Sequence, residues 1–158
     1  MAISSGQTCP DFNLPDDHGD MVTSADLKGK PFILYFYPKD DTSGCTREAV
    51  EFSGLKAEFD AIGVPVLGVS PDPVAKHGKF RDKHDLTVRL LSDEDKSLIG
   101  AFGVWVEKSM YGRKYMGVDR TTALIGGDGV VARIWEKVKV PGHAEEVLSA
   151  ARALAGSQ

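Results

Sequence analysis

Cysteine is scarce in this chain: Cys9 and Cys45 are its only two, and they form no C-x-x-C pair. Two thiols make no disulfide framework, and Thr42 stands where a dithiol reductase of thioredoxin type would carry its other cysteine. No apolar run comes near the length needed to span a bilayer. Basic residues are not in excess. Nineteen Lys and Arg against 23 Asp and Glu give a formal net charge of −4, which argues against nucleic acid or an anionic membrane as the partner. The opening "MAISSGQTCPDFNLPDD" has neither the basic nor the apolar region of a secretory leader, so a reducing cytoplasm is the expected compartment. No repeat, low-complexity tract or charge block divides the 158 residues, so one domain over residues 1–158 is expected. With 42% hydrophobic residues, that length is enough for a sizeable core.

What is present reads as alternating strands and helices. "FNLPDDHGDMVT" suggests an N-terminal hairpin turning at Asp17-His18-Gly19-Asp20. Phe32 to Tyr37 is an apolar and aromatic run without alternation, as expected of a strand covered on both faces. Ala49, Phe52, Leu55, Phe59 and Ile62 recur at helical steps, so residues 45–62 are expected to form one helix closed by Gly63. Residues 64–70 read as a second buried strand, 71–85 as a helix with Pro73 early in it, 87–93 as a third strand and 93–103 as a short helix. "TTALIGGDGVVARIWEKV" reads as a hairpin about Gly126-Gly127-Asp128-Gly129, and residues 142–156 as a terminal helix with Glu145 and Glu146 in its first turn. Parallel βαβ crossovers followed by a hairpin imply an α/β domain with a mixed central sheet flanked by helices. That order is thioredoxin-like, and pattern alone admits a flavodoxin-like arrangement too.

Cys45 falls where a buried strand hands over to a helix. Unpaired backbone N–H groups and the helix dipole there favour thiolate, which matters because a free thiol has a pKa of ~8.5. Thr42 or Ser43 is placed to cap the helix, and a threonine hydroxyl is also able to donate to sulfur. Asp40, Asp41 and Glu48 oppose ionisation, and Arg47 points to another face. A reactive Cys45 therefore requires a cation from elsewhere. Arg120, opening the strand "RTTALI", is the candidate, since a guanidinium is always charged and offers several donors. The other reading of Cys45 is a buried small residue on the stripe of Ala49 and Phe52.

"FYPKDDTSGCT" resembles the P-x-x-x-T-x-x-C motif of peroxiredoxins, with Pro38, Thr42 and Cys45 at the matching positions. "LSDEDKSLIGAFGVWVEKSMYGRKYMGVDRTTALIGGDG" is similar to the bacterioferritin-comigratory-protein (PrxQ) subfamily, as is "TCPDFNLPDDHG". The resemblance implies a thioredoxin-like fold and a thiol peroxidase that reduces hydrogen peroxide and organic hydroperoxides without a cofactor. Cys45 would be the peroxidatic nucleophile, cycling through a sulfenic acid. Thr42 and Arg120 would hold the thiolate and polarise the O–O bond, Pro38 would shield the pocket, and Glu48 would orient the arginine. Many members carry a resolving cysteine five residues after the nucleophile, where this chain has Val50, and others carry it in the helix at 71–85, where there is none. Ala123 and Gly126 replace a common aromatic and a common acid. The chain thus reads as a one-cysteine type, with Cys9 read as structural because nothing in the pattern pairs it with Cys45.

An external thiol such as thioredoxin, glutaredoxin or glutathione would reset Cys45, or Cys9 if the fold brought it near, and the default state is a monomer. The alternative reading is a peroxide sensor in which oxidised Cys45 engages a partner without efficient turnover. Among the histidines, His18, His77, His84 and His143, only His77 and His84 share an expected helix; both are expected to be solvated, with no metal site. Trp105 and Trp135 read as packing residues, and Met110, Tyr111, Tyr115 and Met116 as part of a loop that could rim the site.

Overall fold

The computed structural model describes residues 3–156. Its central strand is the apolar run: β3 (Phe32–Phe36) is buried at every position. Side chains of a strand alternate between faces, so Phe32, Leu34 and Phe36 enter one core cluster while Ile33, Tyr35 and Tyr37 enter the other. On either side of β3 lie β4 (Val66–Ser70), parallel to it, and β8 (Thr121–Ile125), antiparallel. β5 (Arg89–Ser92) and β9 (Val131–Trp135) complete a five-stranded sheet in the order β5-β4-β3-β8-β9. The mixed sheet flanked by helices is the thioredoxin-like arrangement expected.

Helices α2 (Ser43–Gly54), α3 (Lys56–Ala61), α4 (Val74–His84) and α6 (His143–Gly156) pack on the face of Tyr35. The other face is covered by the segment Cys9 to Val22 and by α5 (Ser97–Ala101). The N-terminal hairpin forms as β1 (Asn13–Pro15) and β2 (Met21–Thr23), followed by the single turn α1 (Ser24–Leu27). Among the described residues no helix is long and apolar enough to cross a membrane.

Two expectations need correcting. The helix expected over 45–62 is broken at Leu55, which leaves the helical region at φ −102° and ψ 8°. Ser53 explains the break. Its Oγ accepts from the Thr87 and Val88 amides and its carbonyl from the Thr87 hydroxyl, so the helix end is tied to the approach to β5. The loop expected around Met110 to Met116 is a further hairpin, β6 (Trp105–Met110) and β7 (Arg113–Val118), turning at Tyr111-Gly112 with both φ values positive. Most of its residues are exposed or half-buried, so no core face imposes the alternation that marks other strands.

Candidate active site

The loop after β3 delivers Cys45 to the first turn of α2, with Thr42 at the N-cap position. The sulfur is buried, with the residue 1% exposed, over the floor where Tyr35 stacks between Tyr37 and Phe52 at centroid distances of 5.5 and 4.7 Å. Tyr35 fits only because β4 carries Gly68. A Cβ there would lie 2.6 Å from the tyrosine Cζ.

The cation comes from across the sheet. Arg120 immediately precedes β8, and its Nη2 donates to Cys45 Sγ at 3.2 Å while Nη1 donates to Glu48 Oε1 at 2.7 Å. Cys45 and Glu48, one helical turn apart, thus meet two amino groups of one guanidinium. Burial works against the Arg120 charge, yet Glu48 and Cys45 outweigh it and hold the group above its ordinary range. Glu48 is 1% exposed, and burial pushes its carboxyl up to about 7 despite Arg120. Its Oε2 and the Tyr35 hydroxyl have no hydrogen-bond partner among the described residues.

The other expected site residues are placed differently. Pro38 is half-buried just past β3. Thr42 is exposed, and its hydroxyl donates to the Lys39 carbonyl at 3.0 Å rather than to sulfur, and accepts from no helix amide. The acids before Cys45 are engaged elsewhere. Asp41 meets Lys83 Nζ at 2.7 Å and His84 Nε2 at 2.8 Å, which hold its carboxyl below the usual range. Asp40 is buried, accepting from the Tyr37 hydroxyl at 2.6 Å and facing His77 Nδ1 at 2.6 Å.

His77 is therefore not solvated as expected but fully buried, with Nε2 on the Leu91 carbonyl at 2.9 Å. Asp40, Asp72 and His77 bring potential ligand atoms within 4.8 Å of one another. Those atoms are already engaged: Asp72 accepts from the Asp40 amide and the Ser70 hydroxyl and pairs with Lys76. The cluster is a hydrogen-bonded anchor that ties the cysteine loop to α4 and β5.

Cys9 lies on the opposite face of the sheet, in the cluster of Phe32 and Leu34. Burial and Asp11 push its thiol up to about 12, so it carries little thiolate near neutrality. Two contributors escaped the sequence reading. Gly44 lets the guanidinium come close, since a Cβ there would sit 3.2 Å from Arg120 Nη2. Lys108 of β6 donates to the Val118 carbonyl near Arg120, and burial lowers its pKa, with Asp119, Arg120 and Cys45 also acting on its charge. Neither residue stands out by spacing, because both contacts depend on how β6, β7 and β8 meet α2.

Residues 5–134 match the AhpC/TSA family. A putative peroxiredoxin Bcp of Coxiella burnetii is 49% identical over 148 residues, covering 94% of this chain and 98% of that one. Peroxiredoxin Bcp of Bacillus subtilis is 47% identical over 148 residues, covering 94% of each. Among solved structures, Xanthomonas campestris bacterioferritin comigratory protein, studied for its alkyl peroxide reduction activity, aligns with a TM-score of 0.88 at 40% identity over 98% of both chains.

Proposed function

Since the chain belongs to the AhpC/TSA family and is a thiol peroxidase of the Bcp/PrxQ kind, we propose that Cys45 is the nucleophile that reduces hydrogen peroxide and organic hydroperoxides. The observation that carries this reading is the bond from Arg120 Nη2 to Cys45 Sγ at 3.2 Å. A cation fixed at the sulfur favours thiolate over thiol, and the helix end below it acts in the same direction. The thiolate attacks the terminal peroxide oxygen. As the O–O bond breaks, negative charge moves from sulfur to the leaving oxygen, and the guanidinium donors stand where that charge passes. The products are a Cys45 sulfenic acid and water or an alcohol.

Pro38 screens the pocket from water, and Glu48 orients Arg120 through its 2.7 Å bond. Thr42 acts in closing the cysteine loop through Lys39, with its hydroxyl available to a bound peroxide once that bond is released. The sheet separates Cys9 from Cys45, and Val50 on α2 supplies no thiol, so the sulfenic acid is reset by an external thiol of the thioredoxin, glutaredoxin or glutathione class. The protein works without a cofactor, as a monomer in the cytoplasm. Cys45→Ser is expected to abolish peroxide consumption, while Cys9→Ser spares it. Equal loss in the two variants would make Cys9 a resolving thiol, and a single turnover with every thiol donor would favour the peroxide-sensor reading.

A further inference from the structure

Arg120 bonds two ionisable groups at once; both of those groups are buried, and the arginine itself is half-buried. One guanidinium neutralises one anion. If Cys45 and Glu48 were both ionised, the pocket would hold an uncompensated negative charge in a low-dielectric interior, with Glu48 Oε2 lacking any donor among the described residues. If neither were ionised, the arginine charge would be uncompensated instead. The neutral pocket holds a single proton between the two groups, as interacting sites commonly do.

No neighbouring group takes over this balance. On α2, Glu51 is paired with Arg47 at 2.9 Å. From β3, the Tyr35 phenol faces the site, and burial, Glu48, Asp40 and Cys45 keep its proton in place against Arg120. From α6, His143 contacts Thr122 through Nε2 at 2.8 Å, and burial lowers its pKa. From β6, the Lys108 ammonium is bonded to the Val118 carbonyl, and its attraction to Asp119 exceeds its attraction to Cys45. Asp40 is engaged with Tyr37 and His77.

We infer that Glu48 holds the proton of this pocket while Cys45 is thiolate, and that it delivers that proton to the oxygen expelled from the peroxide. This rests on the proposed role of Cys45 and adds to Glu48 a task beyond orienting Arg120. In the step, the thiolate forms an S–O bond to the terminal OH of ROOH and the O–O bond breaks. The departing RO⁻ takes the proton from the Glu48 carboxyl, giving ROH, Cys45–SOH and the Glu48 carboxylate. Sulfur is oxidised by two electrons and the peroxide is reduced by two. The charge that Arg120 compensates has moved from Sγ to Oε1, where Nη1 already sits. When an external thiol later frees Cys45 from a mixed disulfide as thiolate, the proton of that thiol returns to Glu48. A carboxyl with its pKa pushed up to about 7 is suited to exchange a proton near neutrality.

The experiment compares leaving groups in full-length wild-type protein and Glu48→Gln. Glutamine keeps an acceptor for Arg120 but holds no transferable proton. With tert-butyl hydroperoxide, whose alkoxide must be protonated, the rate constant for Cys45 oxidation is expected to fall about a hundredfold, within the range for loss of a general acid. With peracetic acid, which expels a stable acetate, it is expected to fall less than about threefold, because no proton is needed there. In infrared difference spectra of peroxide-oxidised against reduced wild type, a protonated-carboxyl band is expected to be lost and a carboxylate band gained, both absent in Glu48→Gln. Equal losses with the two peroxides, or an unchanged carboxyl band, would overturn the inference and leave Glu48 an orienting residue only. Failure of wild-type Cys45 to react with either peroxide would instead overturn the proposed function.

Discussion

Replacing Glu48 with Gln is expected to remove a pH dependence of stability that the buried carboxyl creates. Its pKa rises from 4.5 to about 7 on folding, with burial as the largest cause. In the unfolded chain Glu48 loses its proton near pH 4.5, while in the folded protein it keeps the proton until about 7. The folded state binds more protons in that window, so its stability is fully present below pH 4.5 and is lost as pH rises through 7. At 1.36 kcal/mol per tenfold change in proton affinity, the rise from 4.5 to about 7 corresponds to about 3 kcal/mol. The assay is urea unfolding of reduced wild type and Glu48→Gln at intervals from pH 4 to 8. Groups common to both proteins, such as Asp16 and His143, cancel in the difference. Relative to the variant, wild type is expected to lose about 3 kcal/mol across the window, or about 1.5 M in midpoint for a typical slope. A constant difference between the two, or a wild type that gains on the variant as pH rises, would show that Glu48 does not keep its proton on folding.

Two other substitutions separate anchoring from chemistry. Gly44→Ala places a Cβ 3.2 Å from Arg120 Nη2, so the guanidinium must move by a few tenths of an ångström. Oxidation of Cys45 by peroxide is expected to slow by on the order of tenfold, while unfolding shows stability unchanged or raised by ~0.5 kcal/mol, since alanine is the better helix former. His77→Ala leaves the Asp40 carboxylate buried without its 2.6 Å partner and is expected to cost about 3 kcal/mol in denaturant unfolding. A cost below about 1 kcal/mol would mean the histidine does not anchor the loop.

The legible parts of the fold are those whose signal is local. Phe32 to Tyr37 reads as a buried strand because both faces of β3 are covered, and the apolar stripe of α2 lies in the chain itself. The chain order around Cys45 likewise demands a distant cation, for which Arg120 at the head of its strand is the candidate, and the resemblance agrees. The rest depends on long-range contact. Asp40 and Asp41 look hostile to a thiolate in sequence, but α4 supplies His77, Lys83 and His84 to engage them. His77 reads as solvated because the helix around it is polar, and only the sheet shows that its face is inward. The break at Leu55 comes from Ser53 meeting Thr87, which no helical period records. The β6–β7 hairpin escaped notice because it has no core face and turns at Tyr-Gly rather than Asn-Gly.

The most direct test of the central claim is rapid mixing of the reduced protein with hydrogen peroxide, with mass spectrometry locating the oxidised sulfur. One added oxygen is expected at Cys45, formed much faster than on a free thiol, with Cys9 unmodified and no Cys9–Cys45 disulfide. Oxidation no faster than that of a free thiol, or oxygen found first at Cys9, would contradict the claim.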